Sequence, residues 1–277
     1  MASLWALCSV LTIAAVVAIL AKIIVKMAMS SGWYKKSFAE RQNQWSKTGG
    51  LFFAPLKQKL FSDLDEHLKQ LKGDVLEIGI GAGQNFDDYP QGMSLIAVDY
   101  NPHVEKLLKE NLAKAGGRVQ MKTFIVASSV DMSGAEGKVG VEDNSVAAVV
   151  CTKLLCSLTE EQIVKTVQEV KRVLMPGGRF FFMEHVLGKP WSLRYILQQL
   201  VSKSHLWPTL FNGCRCDHET LPFIQKGGFK LVQAEKRYLK VTPELHVGSK
   251  KISVDWSSRL LAYLVHSVLL GFAEKER

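Results

Sequence analysis

The residues best suited to chemistry lie in one run, Val75-Leu76-Glu77-Ile78-Gly79-Ile80-Gly81-Ala82-Gly83. A short apolar stretch leads into three glycines at alternate positions. This pattern predicts a strand-to-helix turn whose backbone approaches a ligand more closely than a Cβ allows, with amide N–H groups aimed at it. A dinucleotide fingerprint places its third glycine one residue later, where this chain has Gln84, so a pyrophosphate is disfavoured. Ser94-Leu95-Ile96-Ala97-Val98-Asp99 reads as a second strand ending in a carboxylate placed for vicinal ribose hydroxyls. Glu77 adds a carboxylate beside the turn, which suits a positively charged amino-acid end better than a diphosphate. An aminoacyl nucleoside fits these charges.

Three ordered blocks, Leu76 to Gly83, Asp99, and Val173-Leu174-Met175-Pro176-Gly177-Gly178 before Arg179-Phe180-Phe181-Phe182, resemble the class I S-adenosylmethionine-dependent methyltransferases over roughly residues 57–247. Finer features are Gln84-Asn85-Phe86 with Tyr89-Pro90, Asp99-Tyr100-Asn101-Pro102, Val149-Val150-Cys151-Thr152 with Leu155-Cys156-Ser157, Phe182-Met183-Glu184-His185-Val186, and Phe211-Asn212-Gly213-Cys214. These are similar to the membrane-anchored methyltransferase-like protein seven subfamily, whose members are implicated in alkyl thiol S-methylation. The chain departs from that pattern at Ile80, Ala82 and Asn212, where the subfamily usually has Cys, Thr and an acid. The resemblance implies S-adenosyl-L-methionine as cofactor, held by Glu77, Gly79, Gly81, Gly83 and Asp99. It also implies an acid beside the adenine amino group, for which Asp131 is the candidate. A solvated loop acid is the competing reading of Asp131.

The elements needed to position these residues follow from periodicity. Leu56, Leu60, Phe61, Leu64, Leu68 and Leu71 recur at helical spacing and predict a helix leading into the glycine turn, packed on the sheet and partly covering the cleft. Strands are predicted at 75–79, 94–99, 122–127, 146–151 and 179–186, with helices near 84–90, 103–115 and 160–174. Alternating strands and helices argue for a right-handed, doubly wound parallel sheet. A final pair, about 229–239 and 245–254, would complete a Rossmann-like α/β sheet of seven strands with an antiparallel edge strand, as the resemblance implies. The expected organisation is an anchor over 1–28, a basic and aromatic linker over 29–55, a methyltransferase domain over 56–254 and an apolar segment over 255–277.

The first 21 residues carry no charged side chain, and Leu4 to Val25 is almost wholly apolar. About 20 such residues span a bilayer core, so an N-terminal membrane helix is expected. A cleaved signal peptide is disfavoured because no basic region precedes the apolar run. Six Lys/Arg against Glu40 in residues 22–50 supply more than half of the net charge of +9. Mixed there with Trp33, Tyr34, Phe38 and Trp45, they favour an anionic lipid surface, with the catalytic domain facing the cytosol. The expected location is the endoplasmic reticulum or a lipid droplet. Nucleic acid is not an expected partner, because Cys151-Thr152-Lys153-Leu154-Leu155 lacks the D/N-P-P-aromatic motif of amino-methylating nucleic-acid enzymes. Leu260 to Ala273 is a second uncharged stretch of 14 residues. As a helix it reaches about 21 Å, short of a core of roughly 30 Å, and is expected in the interface plane or packed on the domain.

Five cysteines, an odd number, point to a reducing compartment. Cys214-Arg215-Cys216 lacks two further ligands at suitable spacing for a tetrahedral site, so no metal is expected. Glu184 and His185 end the fifth strand, at the edge where open α/β sheets bind ligands. His185 is read as a base, as a pocket residue, or as a structural histidine. A sulfonium methyl is already activated, and a thiol with a pKa near roughly 8.5 is partly ionised at neutral pH, so strong base machinery is unnecessary. The expected acceptor is a small lipophilic molecule, foremost a thiol. Methylation of a lipid-like or quinone oxygen or carbon, and a non-catalytic membrane protein on a methyltransferase scaffold, are the alternatives.

Overall fold

The computed structural model describes residues 16, 20, 23–134, 139–204, 206–239, 241–247 and 250–277. Along the chain it contains α1 (Gly32–Thr48), a 3₁₀ turn (Gly49–Phe53), α2 (Ala54–Gln70), β1 (Asp74–Ile78), β2 (Met93–Asp99), α3 (Glu105–Lys114), β3 (Val119–Val126) and β4 (Val146–Thr152). There follow α4 (Glu160–Val173), β5 (Leu174–His185), α5 (Leu193–Lys203), α6 (Leu206–Leu210), α7 (Leu221–Gln225), β6 (Leu231–Tyr238), β7 (Glu244–Val247), β8 (Lys250–Ser253), α8 (Trp256–Val265) and β9 (Ser267–Glu274).

Seven strands form one mixed sheet in the order β3-β2-β1-β4-β5-β9-β6. Neighbours from β3 to β5 pair in parallel, whereas β9 runs antiparallel to both β5 and β6. This is a Rossmann-like α/β architecture. β4 is buried from Val146 to Cys151, the near-continuous apolar run expected of a parallel strand covered on both faces. The period of two shows in β5. Phe180 and Phe182 pack on the face covered by Ile163, Val167 and Val170 of α4, and Phe181 and Met183 on the face covered by Leu60, Phe61 and Leu64 of α2. Thr159 starts α4 with a capping box, in which its hydroxyl accepts the Gln162 amide at 3.3 Å and its own amide donates to the Gln162 side chain at 3.0 Å.

Several expectations need correction. The stretch 260–273 is not one interfacial helix. It splits at His266 into α8 and the strand β9, whose Ser267 to Leu270 are buried between β5 and β6. A buried strand shows no alternation, so periodicity cannot separate it from a buried helix. The domain therefore extends through 274, and 255–277 is no appendage. β7 and β8, which take up most of 245–254, pair with each other outside the main sheet, and the antiparallel strand lies second from the edge. The expected helix near 84–90 is a chain of turns over 81–88. Asn85 and Tyr89 turn inward to Glu77, and Pro90 disfavours helical continuation.

The presumed linker 29–55 is mostly α1, which lies over the carboxyl ends of the strands. Asn101 Nδ2 donates to the Lys35 carbonyl at 2.9 Å, and Tyr34 Oη to the Thr209 carbonyl at 2.6 Å. Of the four aromatic residues assigned to a lipid surface, Trp33 points outward, while Tyr34 is buried and Phe38 and Trp45 face a cavity beneath the helix. Most of the proposed N-terminal span lies outside the described residues. Residues 23–30 are helical, and among the described residues no helix is long and apolar enough to cross a membrane.

Candidate active site

A cavity of about 530 Å³ opens between α1 and the carboxyl ends of the strands. It sits at the point where strand order reverses between β1 and β4, the position at which open α/β sheets bind ligands. Its lining over β1 to β3 includes Glu77, Gly79, Ile80, Asp99, Tyr100, Ala127, Ser128 and Ser129. Over β4 and β5 it includes Thr152, Lys153, His185, Trp207, Phe211 and Cys214, with Phe52, Phe53, Leu261, Ala262, Val265 and His266 above them.

The glycine turn is held by the second strand. The amides of Gly79 and Ile80 both donate to the Val98 carbonyl, at 2.8 and 3.2 Å. Asp99, ending β2, accepts the Gly81 amide on Oδ2 and the Asn101 amide on Oδ1, each at 2.9 Å. Burial raises its pKa, partly offset by these two amides. Each carboxylate oxygen retains a free lone pair for a ribose hydroxyl. Gly81 does not itself line the cavity; at φ +55° its missing Cβ leaves room for Gln42 of α1, 3.1 Å away. Gly83 lies at φ +77°, and a Cβ there would fall 2.1 Å from the Phe86 ring. These two glycines shape the turn, while Gly79 contacts the cavity.

Glu77 is buried under the same turn, accepting from Asn85 Nδ2 at 2.6 Å and from Tyr89 Oη at 2.7 Å. Burial pushes its pKa up to about 7 against those two donors. Asn85 also donates to Thr152 Oγ1 at 2.9 Å, and its carbonyl oxygen is buried with no hydrogen-bond partner among the described residues. An orphaned acceptor beside a carboxylate at the cavity wall matches the ammonium end of an aminoacyl nucleoside. The residues present therefore fit S-adenosylmethionine, with Asp99 at the ribose and Glu77 and Asn85 at the amino acid. Asp131 does not line the cavity. It is exposed, and its Oδ1 accepts from the Ser133 amide and hydroxyl at 3.1 and 2.7 Å, which lowers its pKa. The bridge between Ser128 and Asp131 turns the chain so that Ser128 and Ser129 face the cavity instead.

The other half of the cavity is built by Glu184. Fully buried at the end of β5, its carboxylate accepts the amides of Leu154 and Cys156 at 3.0 and 3.2 Å and the Cys151 thiol at 3.3 Å. It thereby fixes the turn after β4, including Lys153 at φ +58°. Desolvation lowers the Lys153 ammonium to about 8. His185, next along β5, places Nδ1 3.6 Å from Cys214 Sγ, and Cys214 Sγ lies 3.8 Å from Cys156 Sγ. The contact between the two thiols holds Cys214 well below an ordinary thiol, with further help from His185, and pushes Cys156 up. Cys216 points away, toward Ser202 Oγ at 3.8 Å. The Cys214-x-Cys216 pair is thus not one site, and Cys214 meets Cys156 and His185 instead. His266 also faces the cavity. Its ring is fully buried and its pKa falls to about 4 through burial, so the ring is neutral.

Residues 76–182 match the family model described as a methyltransferase domain. The chain is 36% identical over 183 residues to the thiol S-methyltransferase TMT1A of Homo sapiens, covering 66% of this chain and 70% of that protein. It is 38% identical over 184 residues to the thiol S-methyltransferase TMT1B of Rattus norvegicus, covering 65% and 69%. An O-methyltransferase family protein from Burkholderia thailandensis shares the fold with a TM-score of 0.54 at 13% identity, over 88% of this chain and 60% of that one. With the glycine turn, the strand-end acid and the reversed strand order in place, the chain belongs to the class I S-adenosyl-L-methionine-dependent methyltransferases, in the family of TMT1A and TMT1B.

Proposed function

We propose that the protein methylates small lipophilic thiols at a membrane surface, with its catalytic domain on the cytosolic side of the endoplasmic reticulum or on a lipid droplet. The observation carrying this reading is that a single cavity joins a polar half, around Asp99 and Glu77, to an apolar half lined by Phe52, Phe53, Trp207, Phe211 and Val265. When bound, S-adenosylmethionine supplies an activated methyl group. The residues of the chain then have to hold the acceptor in line, exclude water and leave its sulfur ionised. α1 and the 3₁₀ turn cover the cavity, and the apolar half selects for an uncharged body on the acceptor.

The membrane part rests on a second set of residues. Gln198 of α5 donates to the Leu264 carbonyl of α8 at 2.6 Å, and the two joined helices expose Leu193, Ile196, Leu200, Trp256, Leu260 and Leu261 with the neighbouring Trp191. Leu261 also lines the cavity, so an acceptor dissolved in lipid would meet its opening. The names of TMT1A and TMT1B support the thiol chemistry. The test is a panel of thiols, phenols and quinols of matched hydrophobicity, offered to the purified full chain in detergent. The reading requires methylation of thiols in preference to oxygen acceptors, with rates rising with alkyl length. Exclusive methylation of the oxygen acceptors would overturn it.

A further inference from the structure

We infer that Cys156, His185 and Cys214 form a binding site for a thiophilic divalent cation of the zinc class, with a fourth position open to the cavity for the acceptor sulfur. The inference deepens the thiol reading above and rests on it for the fourth ligand. The three residues come from the turn after β4, the end of β5 and the loop after α6, and their donor atoms all lie within 4.8 Å of one another.

Two edges of this triangle match a tetrahedral coordination polyhedron, and the third lies within 4.8 Å. Tetrahedral zinc, with Zn–S near 2.3 Å and Zn–N near 2.0–2.1 Å, separates two sulfurs by about 3.8 Å and a sulfur from a nitrogen by about 3.6 Å. The structure has Cys156 Sγ to Cys214 Sγ at 3.8 Å and Cys214 Sγ to His185 Nδ1 at 3.6 Å. All three residues are buried, so the donors are not a chance surface cluster. Two cysteines and one histidine with an open position is a donor set used by catalytic rather than structural zinc sites, which are closed by four protein ligands. His185 and Cys214 both line the cavity, so the open position faces the apolar half. Glu184 holds the Cys156 amide and fixes that ligand's backbone, as outer groups do around metal centres.

Binding of the acceptor is then a ligand exchange. The thiol loses its proton to solvent, water leaves the fourth position, and the sulfur binds as thiolate. No oxidant or reductant is consumed. A competing account needs no metal, with Cys214 as a thiolate stabilised by Cys156, His185 and the Lys153 ammonium.

Metal analysis of the full chain, purified without chelator, separates the two. The expected result is about one zinc per chain, falling at least fivefold in Cys214→Ser and in His185→Ala while Cys216→Ser keeps it. Unchanged S-adenosylmethionine affinity in each variant serves as the control for folding. With cobalt in place of zinc, a sulfur-to-metal absorption band is expected, and it should shift when an alkyl thiol is added. Zinc-free protein that methylates thiols at full rate would overturn the site and leave the thiol reading standing. Stoichiometric zinc with no thiol methylation would do the reverse. Zinc retained by the Cys156→Ser/Cys214→Ser double variant, or a Cys156–Cys214 disulfide seen as a loss of 2 Da, would also overturn the site.

Discussion

Asp99 Oδ2 accepts the amide of Gly81 at 2.9 Å, tying the end of β2 to the glycine turn after β1. One carboxylate thus both shapes the turn and faces the cavity, where it would accept from the ribose of a bound cofactor. Asp99→Ala removes both functions. Hydrogen bonds to charged groups contribute about 1.5–3 kcal/mol, so S-adenosylmethionine affinity should fall by about tenfold or more in calorimetric titration. A folded variant with unchanged affinity would contradict this assignment.

Gly83→Ala should lower stability directly. The new Cβ would lie 2.1 Å from a Phe86 ring carbon at a φ of +77°, and non-glycine residues in such backbone regions cost about 1–3 kcal/mol before any clash is counted. Thermal unfolding without cofactor measures this, and a transition temperature equal to that of the wild type would show that the turn relaxes freely.

Removing residues 267–277 deletes β9 and leaves β5 and β6 without their shared partner. The truncated chain should fail to fold, giving aggregated or protease-sensitive material. A soluble truncated protein that binds S-adenosylmethionine normally would restore the view of this segment as an appendage.

Glu77 gives stability a pH dependence of known sign. Its pKa is pushed up to about 7 in the folded chain from an ordinary 4.5, so between those values the folded state holds more protons than the unfolded state. Its contribution is fully present below pH 4.5 and is lost as pH rises through 7. Without cofactor, the stability difference between Glu77→Gln and wild type should move in favour of the variant by about 3 kcal/mol from pH 4.5 to 8, at 1.36 kcal/mol per unit. Denaturant unfolding across that range checks it. A difference independent of pH would mean that Glu77 titrates alike in the folded and unfolded chain.

The glycine turn, Asp99 and the parallel strands were legible in the sequence because each is local. A strand, its turn and its terminal acid lie within a few residues, and a doubly covered strand is apolar throughout. The cluster of Cys156, His185 and Cys214 was not legible, since its members are 29 residues apart in each interval and only the fold brings the turn after β4, the end of β5 and the loop after α6 together. Asp131 was misassigned because sequence gives a loop acid's position along the chain but not the direction its turn points it. Composition alone places the aromatic residues of α1 at lipid, whereas Trp45 packs against Phe211 in a tilted pair with centroids 4.9 Å apart. His266 is the residue whose consequence sequence reading missed most, since it divides α8 from β9.

Direct transfer between two ligands in one cavity has a stereochemical signature. S-adenosylmethionine carrying a methyl group made chiral with hydrogen isotopes, incubated with the full chain and a lipophilic thiol, should give a methyl thioether of inverted configuration. Retention would mean two successive transfers through a group on the protein, such as Cys214, and no transfer to sulfur at all would contradict the assignment of the cavity as a thiol methylation site.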